Sequence, residues 1–191
     1  MDRKSDGTVR QRLEAPRVRL PIVRFCLVFL GLVIAAQLVM STDAVWSVFR
    51  RPYCSGLARI CALVSRPFVP EIAVHDLSVV TPRFTLRVVR GCDALDAMTF
   101  LALGIAAFPA TWRMKFAGLA AGLPVIFILN IGRLVLVLFL GLYLPGLLEI
   151  VHVYVFQVFI IAVACGCFCW WTTLAAPSPD ASRASGSSVR R

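Results

Sequence analysis

Long apolar runs are the feature that most limits what this chain can fold into. Four are present, at residues 25–40, 94–108, 116–143 and 147–171. A helix of about 18 or more apolar residues can cross the hydrocarbon core of a bilayer, and the second run approaches this length only if residues 92 and 93 are counted. Because 59% of the 191 residues are hydrophobic, the chain is too apolar for a water-soluble domain of this size. The sequence therefore predicts an all-α integral membrane protein with about four transmembrane helices.

The charged residues set the expected topology. The net charge of +10 would suggest nucleic acid in a soluble protein, but the basic residues flank the apolar runs, and no basic stripe is interleaved with aromatic residues. Residues 1–24 form a basic leader and residues 172–191 a polar tail, both expected to be disordered and cytoplasmic. The leader and the first run are too long to favour a cleaved signal peptide, so residues 25–171 are predicted to form one transmembrane domain with an uncleaved anchor.

Residues 41–91 are expected to lie outside the cell membrane. Residues 45–64 mix apolar positions with three arginines, which is typical of an amphipathic helix lying in the interface. Residues 72–80 and 84–89 alternate and are rich in β-branched residues, so they predict two short strands joined by a turn at residues 81–83. The segment carries seven basic residues, against the positive-inside rule. The leader and the short basic loop at residues 109–115 decide the orientation, because charges near span ends weigh most.

Seven cysteines are present, an odd number without a metal-like pair. Cys54 and Cys61 are seven residues apart on a predicted helix, about 10 Å, which is too far for a disulfide. We expect every cysteine except Cys92 to be a packing residue. No metal and no cofactor is predicted.

Three residues are hard to explain as membrane packing: Cys92, Arg133 and His152. Cys92 opens the second span from the outside, and His152 lies about one turn into the fourth. Arg133 lies 17 residues beyond the start of the third span, roughly 26 Å across a core of about 30 Å. All three therefore arrive at the same outer face. A thiol, a guanidinium and an imidazole together suit a cysteine acyl-transfer site.

Three further polar residues are predicted to support this site or to bind substrate. Asn130 precedes Arg133 by three residues, which places both on one helix face. The same spacing argument places Asp96 beside Cys92, which lies four residues earlier, and Glu149 beside His152, which lies three residues later. Cys92 also lies at a strand-to-helix junction, where a helix N-terminus is expected to lower the pKa of a thiol.

The order and spacing of these motifs resemble the exosortase/archaeosortase family, and the nearest likeness is to the exosortase H type. The motifs that carry the resemblance are Val88-Val89-Arg90-Gly91-Cys92-Asp93-Ala94-Leu95, Ala107-Phe108-Pro109, Asn130-Ile131-Gly132-Arg133, and His152 with Tyr154 and Gln157. The resemblance covers roughly residues 25–171. Many members of the family have glycine two residues after the cysteine, where this chain has Ala94.

The resemblance implies a membrane-embedded cysteine peptidase or transpeptidase of the bacterial inner membrane, with its active site facing the periplasm. Its partners would be exported proteins whose C-terminal sorting signal has a short motif, an apolar helix and a basic end. Cys92 would be the nucleophile that forms a thioester, His152 the general acid and base, and Arg133 the group that stabilises the oxyanion. The family is similar to Gram-positive sortases in its Cys, His and Arg, on an unrelated fold.

Two other functions use the same residues. In a non-enzymatic membrane binder or small transporter, Arg133 would bind an anionic substrate and His152 would gate protonation. In a structural assembly subunit, the polar residues would join helices within the membrane. Only the enzyme requires a reactive thiol at Cys92, so a thiol probe separates these classes.

Overall fold

The computed structural model describes residues 6–149, 151 and 155–175, and at residues 6–22 and 149 it describes the backbone alone. The helices are α1 (Asp6–Met40), α2 (Asp43–Val45), α3 (Arg51–Ser65), α4 (Leu95–Ala107), α5 (Trp112–Tyr143), α6 (Pro145–Glu149) and α7 (Phe156–Ala175), with a π-helical turn at Trp46–Arg50 between α2 and α3. The strands are β1 (Ala73–His75), β2 (Ser78–Val80) and β3 (Thr85–Arg87).

Three helices are long and apolar enough to cross a membrane. They are Val23–Met40 within α1, the 32 residues of α5 and the 20 residues of α7. The fourth predicted span coincides with α4, but its 13 residues extend only about 20 Å, less than a core of about 30 Å. The prediction of a mainly helical fold is thus confirmed, with three helices that could span a membrane and one shorter apolar helix.

The apolar helices form a bundle built around α4, which packs against α1, α5 and α7. Its buried core includes Leu101, Ile105, Ile126 and Ile160. Trp171 closes one end, because its indole N–H donates to the Met114 carbonyl at 2.9 Å. The ring lies against Gly118, where any Cβ would overlap it. We call this unit the bundle.

A second unit, which we call the cap, comprises residues 43–87 and packs against the C-terminal part of α5. Its sheet is antiparallel in the order β1-β2-β3, and Val79 at its centre pairs with Val74 and Leu86. Val79 and Leu86 are buried between the sheet and the inner face of α3. Two hydrophobic clusters therefore share one helix, α5.

Several helix ends differ from those predicted from the sequence. α1 extends back to Asp6, so residues 6–24 are helical where disorder was expected. The fourth predicted span corresponds to α6, which ends at residue 149, and α7, which runs from residue 156 to residue 175, and the described residues 151 and 155 between them are π-helical. Residues 176–191 of the predicted tail lie outside the described residues.

The β-segment was predicted in part. The turn at residues 81–83 is confirmed: Thr81 N–H donates to the Phe84 carbonyl at 3.0 Å. The strand expected at residues 72–80 is instead the hairpin β1–β2, which reverses at Asp76 with φ +54°. The apolar positions shift from even numbers (Ile72, Val74) to odd numbers (Leu77, Val79) across this turn, and the prediction of a single strand overlooked that break in the alternation.

Candidate active site

A tight turn between β3 and α4 carries Cys92. It runs from Gly91 to Ala94, and these two residues have φ +86° and +54°. Cys92 is 6% exposed and Asp93 is fully buried. A residue other than glycine in the left-handed region is destabilised by roughly 1–2 kcal/mol, so Ala94 holds this conformation only because its surroundings impose it. Such local strain concentrates at functional sites.

Helix α5 holds this turn from one side. Asn130 Nδ2 donates to the Cys92 carbonyl and Arg133 Nη1 to the Gly91 carbonyl, both at 3.2 Å. Both side chains are buried, and as predicted they share one face of the helix. The Arg133 guanidinium interacts electrostatically with the Cys92 thiol. The second and third apolar helices thus bring a thiol and a permanent positive charge together.

The start of α3 holds the turn from the other side. Arg50 Nε donates to Asp93 Oδ2 at 2.5 Å and its Nη2 to Oδ1 at 3.1 Å, a bidentate ion pair between two buried side chains. Arg50 Nη2 also reaches both carboxylate oxygens of Asp96 at 3.5 Å. Because the Arg50 guanidinium makes two hydrogen bonds to the Asp93 carboxylate, it fixes the orientation of that carboxylate as well as its distance.

Sequence reasoning missed this pair, since Arg50 was assigned to the interfacial surface of a helix. A signal was present: Arg50 lies four, seven and eleven residues before the buried Cys54, Leu57 and Cys61. That spacing places it on the inner face of the helix.

Burial raises the pKa of the Cys92 thiol above its usual range, while the adjacent Arg133 charge and the Val89 hydrogen bond act in the opposite direction. The expected lowering by a helix N-terminus is wrong for a structural reason. Cys92 lies three residues before the first residue of α4, and burial opposes the charged form of the thiol.

Two neighbouring groups on α3 contact Asp93. The Tyr53 hydroxyl donates to the Asp93 carbonyl at 3.4 Å, and Cys54 Sγ lies 3.9 Å from Asp93 Oδ2. Burial together with the Asp93 charge raises the pKa of Tyr53 to about 12 and that of Cys54 to about 11. Both groups are therefore protonated at neutral pH.

The other predicted site residues have different placements. Cys92 precedes α4, so it shares no helix face with Asp96, whose carboxylate instead faces Arg50. Glu149 ends α6 and its side chain is not described, and His152 lies outside the described residues. Among the residues that the structure describes, no three His, Cys, Asp or Glu side chains are arranged to hold a metal ion.

Two buried polar atoms beside the turn have no partner within the described part of the chain: Arg133 Nε and Asn130 Oδ1. A buried polar group left without a hydrogen bond is destabilising by about 1–3 kcal/mol. One atom belongs to a donor and the other is an acceptor. Together they match the two hydrogen-bonding ends of a peptide group.

A cavity of about 220 Å³ opens beside Asp96, between α1, α4 and α7. Polar side chains from all three helices reach it, and apolar residues form the rest of its wall. Its lining is Gln37, Asp96, Ala97, Phe100, Gln157, Ile161 and Ala164.

No known family model matches the chain, and no curated protein or solved structure is significantly similar to it.

Proposed function

We propose that the chain is a membrane-embedded cysteine peptidase or transpeptidase, which cleaves C-terminal sorting signals of exported proteins at the outer face of the bacterial inner membrane. One observation carries this proposal. Helix α5 binds the turn through Asn130 and Arg133 and places the Arg133 guanidinium beside the Cys92 thiol. A nucleophile next to a fixed positive charge suits acyl transfer. The resemblance of the motifs to exosortases supports the same function.

In the proposed reaction, Cys92 loses its proton and its sulfur attacks a backbone carbonyl of the substrate. A carbon–sulfur bond forms, and the negative charge on the carbonyl oxygen is stabilised by Arg133. The carbon–nitrogen bond then breaks, the amine leaves with a proton and a thioester remains. Water or an acceptor amine attacks the thioester and releases the thiolate.

His152 supplies the proton transfers in this proposal. Because burial raises the pKa of the Cys92 thiol, little thiolate exists at neutral pH without help. A base that takes the thiol proton generates the thiolate, and it can then give the proton to the leaving amine. Arg133 cannot serve, since a guanidinium stays protonated.

The cavity between α1, α4 and α7 offers a lateral path for the substrate. Within the described residues the side-chain amides of Gln37 and Gln157 make no hydrogen bond. These amides and the Asp96 carboxylate can bind an extended peptide, while its apolar helix packs against the outer surface of the bundle. The substrate then reaches Cys92 from the membrane, without a soluble pocket.

Thioester trapping tests this function. The full chain is purified from its native membrane after acid quenching, and adducts on Cys92 are sought by mass spectrometry. We expect a peptide adduct that hydroxylamine releases, with the matching variant Cys61→Ala carrying the same adduct on Cys92. A binder or transporter forms no such bond, so its complete absence in cells that contain exported substrates would contradict the enzyme.

The proposed orientation has its own test. Single cysteines placed at Asp76 or Arg83, both exposed on the cap, should react with an impermeant maleimide added to intact spheroplasts. Cysteines at Arg113 or Ser185 should react only after the membrane is permeabilised. Labelling at Arg113 from outside would invert the topology and move Cys92 to the cytoplasmic face.

A further inference from the structure

We propose that Arg50 and Asp93 are positioning residues for Cys92: their buried ion pair holds the turn from Gly91 to Ala94 in place and balances the charge next to the thiol. This inference deepens the proposed function, since it affects catalysis only if Cys92 is the nucleophile. Neither residue belongs to the group that the sequence predicted.

The geometry of the turn supports the positioning role. Two of its four residues have positive φ, so the backbone alone does not favour this shape. Arg50 binds Asp93 through two bonds, and Asp93 Oδ1 also accepts the Leu95 N–H at 3.4 Å. The same carboxylate therefore joins the cap to the first residue of α4. Cys92 is the residue between this anchor and the contacts made by α5.

The π-helical turn at Trp46–Arg50 explains how Arg50 reaches the inside. It inserts a wider turn just before α3, and Arg50 is its last residue. Insertions of this kind are frequent at functional sites. Arg51, the next residue, faces outward and pairs with the exposed Asp76 at 3.1 Å.

Charge balance supports the second role. The charged and titratable groups around the thiol in the described part of the chain are Arg50, Tyr53, Cys54, Arg90, Asp93, Asp96 and Arg133. Tyr53 and Cys54 stay protonated, and Arg90 lies over the Trp46 ring. The Asp93 carboxylate disfavours a thiolate, and Arg133 favours it. Arg133 has the larger effect of the two, and the ion pair with Arg50 partly neutralises the Asp93 carboxylate.

The charge-balance role predicts shifts of opposite sign in the pKa of Cys92 for two single variants. Asp93→Asn keeps the size of the side chain but removes the negative charge and one of the two acceptors of Arg50, which leaves Arg50 unbalanced and lowers the pKa of Cys92. Arg50→Gln leaves the carboxylate unbalanced and raises it. Neighbouring charges shift a pKa by about one unit or more. The alkylation rate at a fixed pH below the midpoint should then change about threefold, because a more acidic thiol is also a weaker nucleophile.

The measurement is the rate at which iodoacetamide, a small neutral reagent, modifies Cys92 between about pH 7 and 10. The full chain in detergent is used with its other cysteines intact, and the Cys92 peptide is quantified by mass spectrometry. His152 is kept in every variant. We expect faster alkylation in Asp93→Asn, slower alkylation in Arg50→Gln, and a rate near that of the unmodified chain in the double variant.

Arg51→Gln is the matched control, since it breaks an exposed ion pair one residue away and should leave the Cys92 profile unchanged. Arg50→Gln buries an uncompensated carboxylate, so its folding is checked by thermal stability; if it does not fold, Asp93→Asn alone decides. An unchanged or slower rate in Asp93→Asn would overturn the proposal. The experiment measures the alkylation rate of Cys92 and not the processing of substrates. A negative result would therefore refute the role of Arg50 and Asp93 without refuting the proposed peptidase function.

Discussion

Replacing Cys92 by alanine is expected to abolish processing of exported substrates, with protein level and membrane insertion unchanged. The thiol is the only group that the proposed reaction makes into a covalent link, and its removal leaves no route to the thioester. The small buried side chain contributes little to the fold. The measurement is the intact mass of exported proteins in cells that lack the native copy and carry the variant. Unprocessed proteins should retain their C-terminal helix and basic end.

Two further variants sharpen this result. Cys61→Ala removes another buried cysteine of the same hydrophobic cluster, and we expect it to keep processing. Cys92→Ser should be nearly inactive, because a hydroxyl is far less acidic than a thiol and burial has already raised the pKa of the group at this position. Substantial processing by Cys92→Ala would refute the enzyme.

Arg133→Lys is expected to insert and fold but to lose most processing, roughly a hundredfold, as when one donor of an oxyanion site is removed. The structure separates two roles for this residue. If Arg133 only binds the Gly91 carbonyl, one ammonium N–H can replace that bond and lysine should be tolerated. If it also stabilises the oxyanion, the planar fork is needed, because a lysine ammonium is a point charge that loses its proton readily in a dry site.

Arg133→Ala should lose more than Arg133→Lys, since it removes both the charge and the contact with the turn. The loss should appear in the chemical step, with substrate still co-purifying with either variant. Asn130→Asp is the useful companion, because it keeps the size of the neighbouring side chain but removes the amide that donates to the Cys92 carbonyl. Full activity in Arg133→Lys would leave Arg133 as a charge anchor, and loss of substrate association would assign it to binding.

The sequence predicted the helical elements well where one local pattern decided them. The apolar run at residues 116–143 falls within α5, because length and polarity are enough to specify a helix in a membrane. It predicted the β-segment less well. The hairpin reverses at Asp76, where the apolar positions shift by one residue, and the predicted single strand did not take account of that shift.

In the site, too, contacts between residues close in sequence were predicted and contacts made by tertiary packing were not. Asn130 and Arg133 could be placed on one face because they are three residues apart. The pair formed by Arg50 and Asp93 joins residues 43 positions apart, and its existence depends on how the cap meets the bundle. The acidity of Cys92 was misjudged for this reason: a helix end is visible in a sequence, but the burial that outweighs it comes from packing.

Cys92 belongs to the hydrophobic cluster of the cap, while Ala94, two residues later, belongs to that of the bundle. The candidate site therefore lies on the seam between two cooperative units rather than inside either one. Units with separate cores open with separate free energies. Moderate heating that loosens the cap would disperse the site while the helices of the bundle persist, so the half-life of activity would be set by the weaker of the two units and not by the melting of the whole chain.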